Sequence, residues 1–220
     1  VSLRGIDVSA NNGPIDWDAV KRAHVAFAFA KATEGVSYVD PHLHDNRDGA
    51  GRVRIPLGLY HFARPDTHPT IAGARDEARH FARQVGKLRA SDLLPVLDLE
   101  RELPLGHGPA QLEAWARAFS QETRKLLGRF PLFYSYPAMI DGLRLHRPIG
   151  SGLWLASYGT DDGREHPAEP PHPWKRTLVH QYTSQGHVPG VSGRIDLNDA
   201  GDLEPIRARG KIRRAVLLRR

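Results

Sequence analysis

Cysteine is absent from the 220 residues, and methionine occurs once. The chain therefore has no disulfide staple, no thiolate nucleophile and no thiolate ligand for a metal. Long apolar runs are missing too: nothing approaches the roughly 20 apolar residues that span a bilayer, so no membrane partner is expected. Residues 1–5 carry no apolar signal region, and no secretory signal is visible in these residues. The 12 histidines are scattered, without an H-E-x-x-H or comparable run. That argues against a metal hydrolase, and neither a metal nor another cofactor is expected.

What remains is an ordinary globular composition, 40% hydrophobic and 25% charged, long enough to bury one core. The net charge of +6 favours an anionic partner, either nucleic acid or an acidic cell-wall polymer. Charge alone does not establish nucleic acid, and no nucleic-acid-binding motif supports it. Part of the excess lies in a basic stretch beginning at Arg207 and ending at Arg219-Arg220. The division expected is one domain over 1–204, followed by a basic tail over 205–220.

Short apolar runs alternate with helix-like segments, the pattern of βα units around a parallel sheet. Strands are predicted at 5–9, 25–31, 55–62, 93–100 and 131–136. Asp16 suits the N-cap of a short helix, a second helix follows in the forties, and 71–85 is amphipathic through Ile71, Ala74, Ala78, Phe81 and Val85. Leu112, Trp115, Ala116, Phe119 and Leu126 mark another helix. The rhythm then changes to strands at 152–158, 177–182 and 194–197, with 159–173 read as a surface loop. The pattern predicts an α/β fold, a flattened TIM-like β/α barrel of five βα units followed by three strands with few helices.

Active sites of such barrels lie where the strands end. These ends are polar: Asp7 and Ser9, Lys31 and Glu34, Tyr60 and His61, Asp98 and Glu100, Tyr134 and Tyr136, then Tyr158, Gln181 and Asp196. Alternation puts Asp98 and Glu100 on one side of their strand, with Leu94 and Val96 deeper on that side and Leu97 and Leu99 facing the helices. Two strand steps separate the carboxylates by about 6.6 Å along the backbone. Like charges so close raise one pKa and keep a proton near neutral pH. Glycoside hydrolysis uses that combination, one acid for the leaving oxygen and one carboxylate for the developing cation. The competing reading is a pair of acids held by Arg or Lys. Asp7 and Asp196 come from the first and last strands, neighbours in a closed barrel, and serve either to orient the pair or as turn carboxylates.

The motifs Gly5-Ile6-Asp7-Val8-Ser9, Ile15-Asp16-Trp17, Lys31-Ala32-Thr33-Glu34-Gly35, Gly58-Leu59-Tyr60-His61-Phe62, Leu97-Asp98-Leu99-Glu100, Gln181-Tyr182 and Ile195-Asp196-Leu197-Asn198 occur in the order found in glycoside hydrolase family 25 lysozymes, which the chain resembles over roughly residues 4 to 200. The resemblance implies a peptidoglycan hydrolase that cleaves the β-1,4 bond between N-acetylmuramic acid and N-acetylglucosamine. It implies Glu100 as general acid, Asp98 as stabilising carboxylate, and Asp7 and Asp196 as flanking catalytic acids. Tyr60, Tyr134, Trp154 and Gln181 fall where substrate-contacting residues are expected, and Glu34 is counted with them. Asn12 and His180 stand where Gln and Trp are common in the family. The alternatives are a non-catalytic wall-glycan-binding module and a chitinase-like barrel hydrolase. The implied partner is bacterial peptidoglycan, with anionic wall polymers attracted by the basic balance, and the chain is expected to be a monomer. The place of action is the cell wall, reached by secretion or by phage lysis.

Overall fold

The computed structural model describes residues 2–208. Its strands are β1 (Leu3–Val8), β2 (Phe27–Glu34), β3 (Tyr38–Val39), β4 (Leu57–Phe62), β5 (Val96–Asp98), β6 (Leu132–Ser135), β7 (Leu153–Ala156), β8 (Val179–Gly186) and β9 (Ile195–Ala200). The helices are α1 (Trp17–Arg22), α2 (Leu43–Arg52), α3 (Ile71–Val85), α4 (Pro109–Leu127) and α5 (Pro137–Leu143). Strands run in the order β1-β9-β8-β7-β6-β5-β4-β2, and β1 also pairs with β2, so the sheet closes into a barrel. Five βα units are followed by three strands, as the apolar rhythm predicts.

Three details depart from the sequence reading. β3 is a two-residue strand antiparallel to the end of β2, too short to leave a periodic signal. Helix α5, which completes the fifth βα unit and for which no residues were predicted, follows β6 directly, its first turn opened by Pro137. The fourth strand is shorter than 93–100 and ends at Asp98, leaving Glu100 on the loop just beyond.

Strand direction follows connection length. The loop from β7 to β8 is long enough to cross over, and those two strands are parallel. Only eight residues, 187–194, separate β8 from β9, so β9 returns antiparallel to both β8 and β1. The start of β9 therefore lies at the same rim as the ends of the parallel strands.

Two cores flank the sheet. Phe27, Phe29, Leu94, Val96, Leu132, Tyr134, Trp154 and Val179 fill the barrel. Ile6, Val8, Leu97, Leu99 and Phe133 face the helices, with Phe81, Trp115 and Phe119. The alternation read along β5 is thus observed, with Val96 inside and Leu97 and Leu99 outside. A Cβ on Gly5 would run into the Phe27 ring, so only glycine lets β1 lie this close to the filled interior.

The far end of the barrel is plugged by Leu203 and Ile206. The Leu94 N–H donates to the Ile206 carbonyl at 2.7 Å, and the Ala208 N–H to the Asp92 carbonyl at 2.9 Å. Residues 205–208, assigned to the tail from charge, therefore belong to the packed barrel. Ile206 is the apolar residue in that stretch that composition outweighed. The rest of the tail lies outside the described residues.

Candidate active site

Asp7 is the last residue but one of β1, Asp98 closes β5, and Asp196 is the second residue of the reversed strand β9. Asp7 and Asp196 are direct partners across the antiparallel ladder, which places their side chains about 5 Å apart at Cβ. Asp98 and Glu100 come within hydrogen-bonding reach of one another, as do Asp7 and Asp196. Four carboxyl groups thus meet at one rim. Among the described residues no Lys or Arg lies within ion-pair distance of any of them. The reading of Asp98 and Glu100 as acids held by a cation is not what the structure shows.

The interior explains how Asp7 is held. Tyr134 and Tyr158 hydroxyls donate to Gln181 Oε1 at 2.8 and 2.7 Å. Burial and the neighbouring carboxylates raise the pKa of both phenols, so they act as donors. This fixes the amide: Gln181 Nε2 faces Asp7 Oδ2 and donates at 2.8 Å. A second arm ends on the same oxygen. The Trp154 indole N–H, a donor only, donates to Asn198 Oδ1 at 2.7 Å, so Asn198 Nδ2 donates to Asp7 Oδ2 at 2.7 Å. Two independent donors with set orientation therefore aim Asp7 at the rim.

The substrate contacts expected from the sequence occupy different depths. Tyr60 is half-buried beside the carboxylates, and burial followed by the charges of Asp7 and Asp98 raises its pKa. Tyr134 and Gln181 lie beneath the rim within the network. Trp154 is 2% exposed, stacked 4.3 Å from Phe29 and edge-on to Tyr134, so it supports Asn198 from the core and presents no open face to a sugar. Glu34 is held by Lys31 at 2.7 Å and Arg64 at 2.8 Å, which makes it an ion-pair partner at the end of β2. Asn12 caps its own turn by accepting the Ser9 N–H. His180 alternates outward, bonded to the Ser157 carbonyl, and so is not part of the groove wall.

Tyr158 was named from the sequence only among the polar strand ends and Asn198 only within a motif, neither as a site residue, although parity offered a signal. Asn198 stands two residues from Asp196 on β9, and Tyr158 four from Trp154, each sharing its partner's side. Outside the rim, Asp161 accepts from Thr183 Oγ1, Ser184 N–H, Ser184 Oγ and Gln185 Nε2, which pins the long β7–β8 loop to β8. Those hydrogen bonds lower the Asp161 pKa to about 2.

Burial is the largest influence on the four acids. Asp98 is raised well above the carboxylate range by burial and then by the Glu100 charge, and its Oδ1 is buried without a hydrogen-bond partner. Glu100, less buried, is raised to a lesser degree by its own desolvation, against which Asp98, Arg101 and Lys31 act. Asp7 is raised by burial and by Asp196. Asp196 is pushed up to about 6, by burial and then by the charges of Glu100 and Asp161. Both members of the central pair are thus raised, Asp98 by the deeper burial, so the pair holds a proton more readily than two free carboxyls would.

These shifts have a consequence for stability. A carboxyl group whose pKa is higher folded than unfolded favours folding below its unfolded pKa, and that contribution is lost as pH rises through the folded value. Asp196 does this between about 4 and about 6, and Glu77, raised by burial to about 7, does so over a similar window. Each contributes on the order of 3 kcal/mol at about 1.4 kcal/mol per unit. Asp66, held low by its hydrogen bonds to Arg64, has the opposite sense but acts below about pH 4, and His61, kept neutral by burial, opposes the raised acids below the ordinary imidazole range as one group against several. Urea unfolding is expected to give lower stability at pH 7.5 than at pH 4.5. Equal or rising stability across that interval would contradict an unpaired acid cluster.

The geometry can be set beside known proteins. Residues 6–191 match the family described as Glycosyl hydrolases family 25. Lysozyme M1 of Streptomyces globisporus is 32% identical over 205 residues, which are 89% of this chain and 67% of that protein. The autolytic lysozyme of Clostridium acetobutylicum is 29% identical over 197 residues, 90% of this chain but only 55% of that protein. Among solved structures, a lysozyme from Streptomyces coelicolor matches with a TM-score of 0.77 at 29% identity, covering 91% of this chain and 92% of that one. A family GH25 lysozyme from Aspergillus fumigatus matches with a TM-score of 0.78 at 25% identity, covering 92% and 95%. Fold and sequence agree over most of the described chain, which belongs to glycosyl hydrolase family 25 and is a glycoside hydrolase of the lysozyme type.

Proposed function

We propose that the chain is an N-acetylmuramidase acting on bacterial peptidoglycan at the cell wall, with Glu100 protonating the glycosidic oxygen and Asp98 serving the substrate's acetamido group. One observation carries the division of labour: Asp98 Oδ1 is buried and unpartnered at the centre of the rim. A buried oxygen without a partner is costly, and a donor brought by the substrate would relieve it. An acetamido N–H of the substrate is such a donor.

That hydrogen bond also moves the proton. Donation to Asp98 stabilises its anion and lowers its pKa, and the proton shared with Glu100 passes to Glu100. Glu100 is then the acid facing the leaving oxygen. The acetamido group, held by Asp98, has its carbonyl oxygen free to attack the anomeric carbon.

Carboxyl spacing supports this route. A displacement by a carboxylate nucleophile needs the two groups about 5–5.5 Å apart, and an inverting enzyme about 6.5–9.5 Å. Asp98 and Glu100 lie two residues apart at the end of one strand and interact directly, so they stand side by side and do not face one another across a scissile bond. Attack by the substrate's own acetamido oxygen needs no second carboxylate across the bond and gives net retention through an oxazolinium-type intermediate. Asp7, oriented by Gln181 and Asn198, and Asp196 keep the rim negative as positive charge develops at the anomeric centre.

Purified peptidoglycan should be cleared with release of new muramic acid reducing ends, while chitin oligomers stay intact. NMR of the first-formed product should show the β-anomer. An α-anomer sinks the acetamido route. Cleavage of chitin without cleavage of walls sinks the muramidase reading in favour of a chitinase-like enzyme.

A further inference from the structure

At the end of the barrel opposite the carboxylates, a cavity of about 400 Å³ opens between the starts of β4 and β5 and the ends of α2 and α3. Its wall carries four arginines, Arg47, Arg54, Arg89 and Arg207, against a single carboxylate, Asp92. Little of that charge is used within the fold. Arg47 gives one N–H to the Gln84 carbonyl, and Arg207 pairs with exposed Glu204 at 3.1 Å. Asp92 Oδ2 accepts the backbone N–H of Arg89 at 2.7 Å. Arg54 and Arg89 are exposed, with no ion-pair partner among the described residues. The end of α2 is closed by its own backbone bonds, from the N–H groups of Val53, Arg54 and Ile55, so the guanidinium groups are not needed as caps there.

The positive charge continues along the outside of the barrel. A second cavity, of about 740 Å³, shares Leu88 with the first and is lined by Arg79, Arg83 and Lys87 beside Leu126. Arg75, Arg79 and Arg83 repeat every fourth residue of α3, a cationic group about every 6 Å along one face. Arg79 is tied to Asp76 and Glu122, whereas Arg83 and Lys87 stand exposed. An arginine cavity continuous with such a row suits a linear polymer of recurring anions better than one small anion, and guanidinium forks fit phosphate oxygens.

We propose that this face is a second, non-catalytic site that binds a phosphodiester-linked polyol polymer of the bacterial wall. The choice of a wall polymer rests on the muramidase reading above. Within the two cavities, no aromatic side chain is available on which nucleic-acid bases would stack. Bound there, the polymer would hold the enzyme against the wall with the carboxylate rim, at the other end of the barrel, free for glycan.

Poly(glycerol phosphate) is the probe, its binding to the purified protein followed by calorimetry at low salt. Arg54→Gln combined with Arg89→Gln, both exposed positions, should weaken binding about tenfold or more. Lys175→Gln with Arg176→Gln removes the same charge from an exposed loop elsewhere and should leave binding within about twofold. A short DNA duplex should bind more weakly than the polymer. Equal loss in the two double variants reduces the effect to net charge and overturns the site, as does wild-type affinity in the Arg54/Arg89 variant. Tighter binding of the duplex overturns the choice of ligand. Cleavage of soluble muramyl glycan fragments should be unchanged in the Arg54/Arg89 variant. If the wild type cleaves no such fragment yet binds the polymer through these arginines, the muramidase reading fails and the site stands.

Discussion

Replacing Glu100 by glutamine is expected to lower peptidoglycan cleavage by about 10²–10⁴-fold while leaving the barrel folded and slightly more stable. The amide keeps the shape of the carboxyl group but cannot donate a proton to the leaving oxygen. It also removes a negative charge that raises the pKa of Asp98, Asp7 and Asp196 alike. Relief of that repulsion is worth about 1 kcal/mol, which for a domain of this size raises Tm by about 2–4 °C. Activity and stability should therefore move in opposite directions at neutral pH. The measurement is reducing-end release and thermal unfolding on the same preparations. Retained turnover would remove Glu100 from the chemistry, and loss of activity with a lowered Tm would make its role one of packing.

The same four acids illustrate how much of the molecule was legible in the sequence. Asp98 and Glu100 were readable as a pair because strand alternation is a local rule and Val96, Leu97 and Leu99 confirm the parity on either side of the sheet. That Asp7 meets Asp196 required the barrel to close, which the polar strand ends implied and the Asp7–Asp196 ladder pair shows. What could not be read was which partner holds each acid. Nothing local distinguishes Trp154 as a buried donor to Asn198 from Trp154 as a sugar platform, since both need an inward-facing tryptophan near the rim. Glu34 was ambiguous for the same reason, because Arg64, its partner, sits thirty residues away on the loop after β4. The depth of each acid was hidden as well: Asp98 is more buried than Glu100, a property of the closed rim and not of the Asp-x-Glu spacing. Ile206, by contrast, was a lone apolar residue in a basic stretch, and charge composition outweighed it.

Gln181→Leu is expected to lower turnover about 100-fold and to destabilise the fold, although the side chain touches no reacting atom in the scheme above. Gln181 is 2% exposed and receives two phenol hydroxyls while giving its own N–H to Asp7. Leucine removes the acceptor from Tyr134 and Tyr158 and one of the two donors from Asp7. The buried Tyr134 hydroxyl is then unsatisfied, at a cost of about 1–3 kcal/mol, and Asp7 depends on Asn198 alone. A carboxylate displaced by about 1 Å can cost 100-fold in rate. A positioning role predicts that kcat falls with KM little changed, and that the pH profile moves toward the alkaline side as Asp7 becomes harder to ionise. Gln181→Glu separates this from simple loss of packing. It keeps the volume and the acceptor for the two phenols but supplies a donor to Asp7 only when protonated, so its turnover should be lost at alkaline pH and recover as pH falls. Near wild-type kcat in Gln181→Leu, or a Gln181→Glu variant equally active at every pH, would mean that the amide only fills space and that Asn198 suffices to hold Asp7.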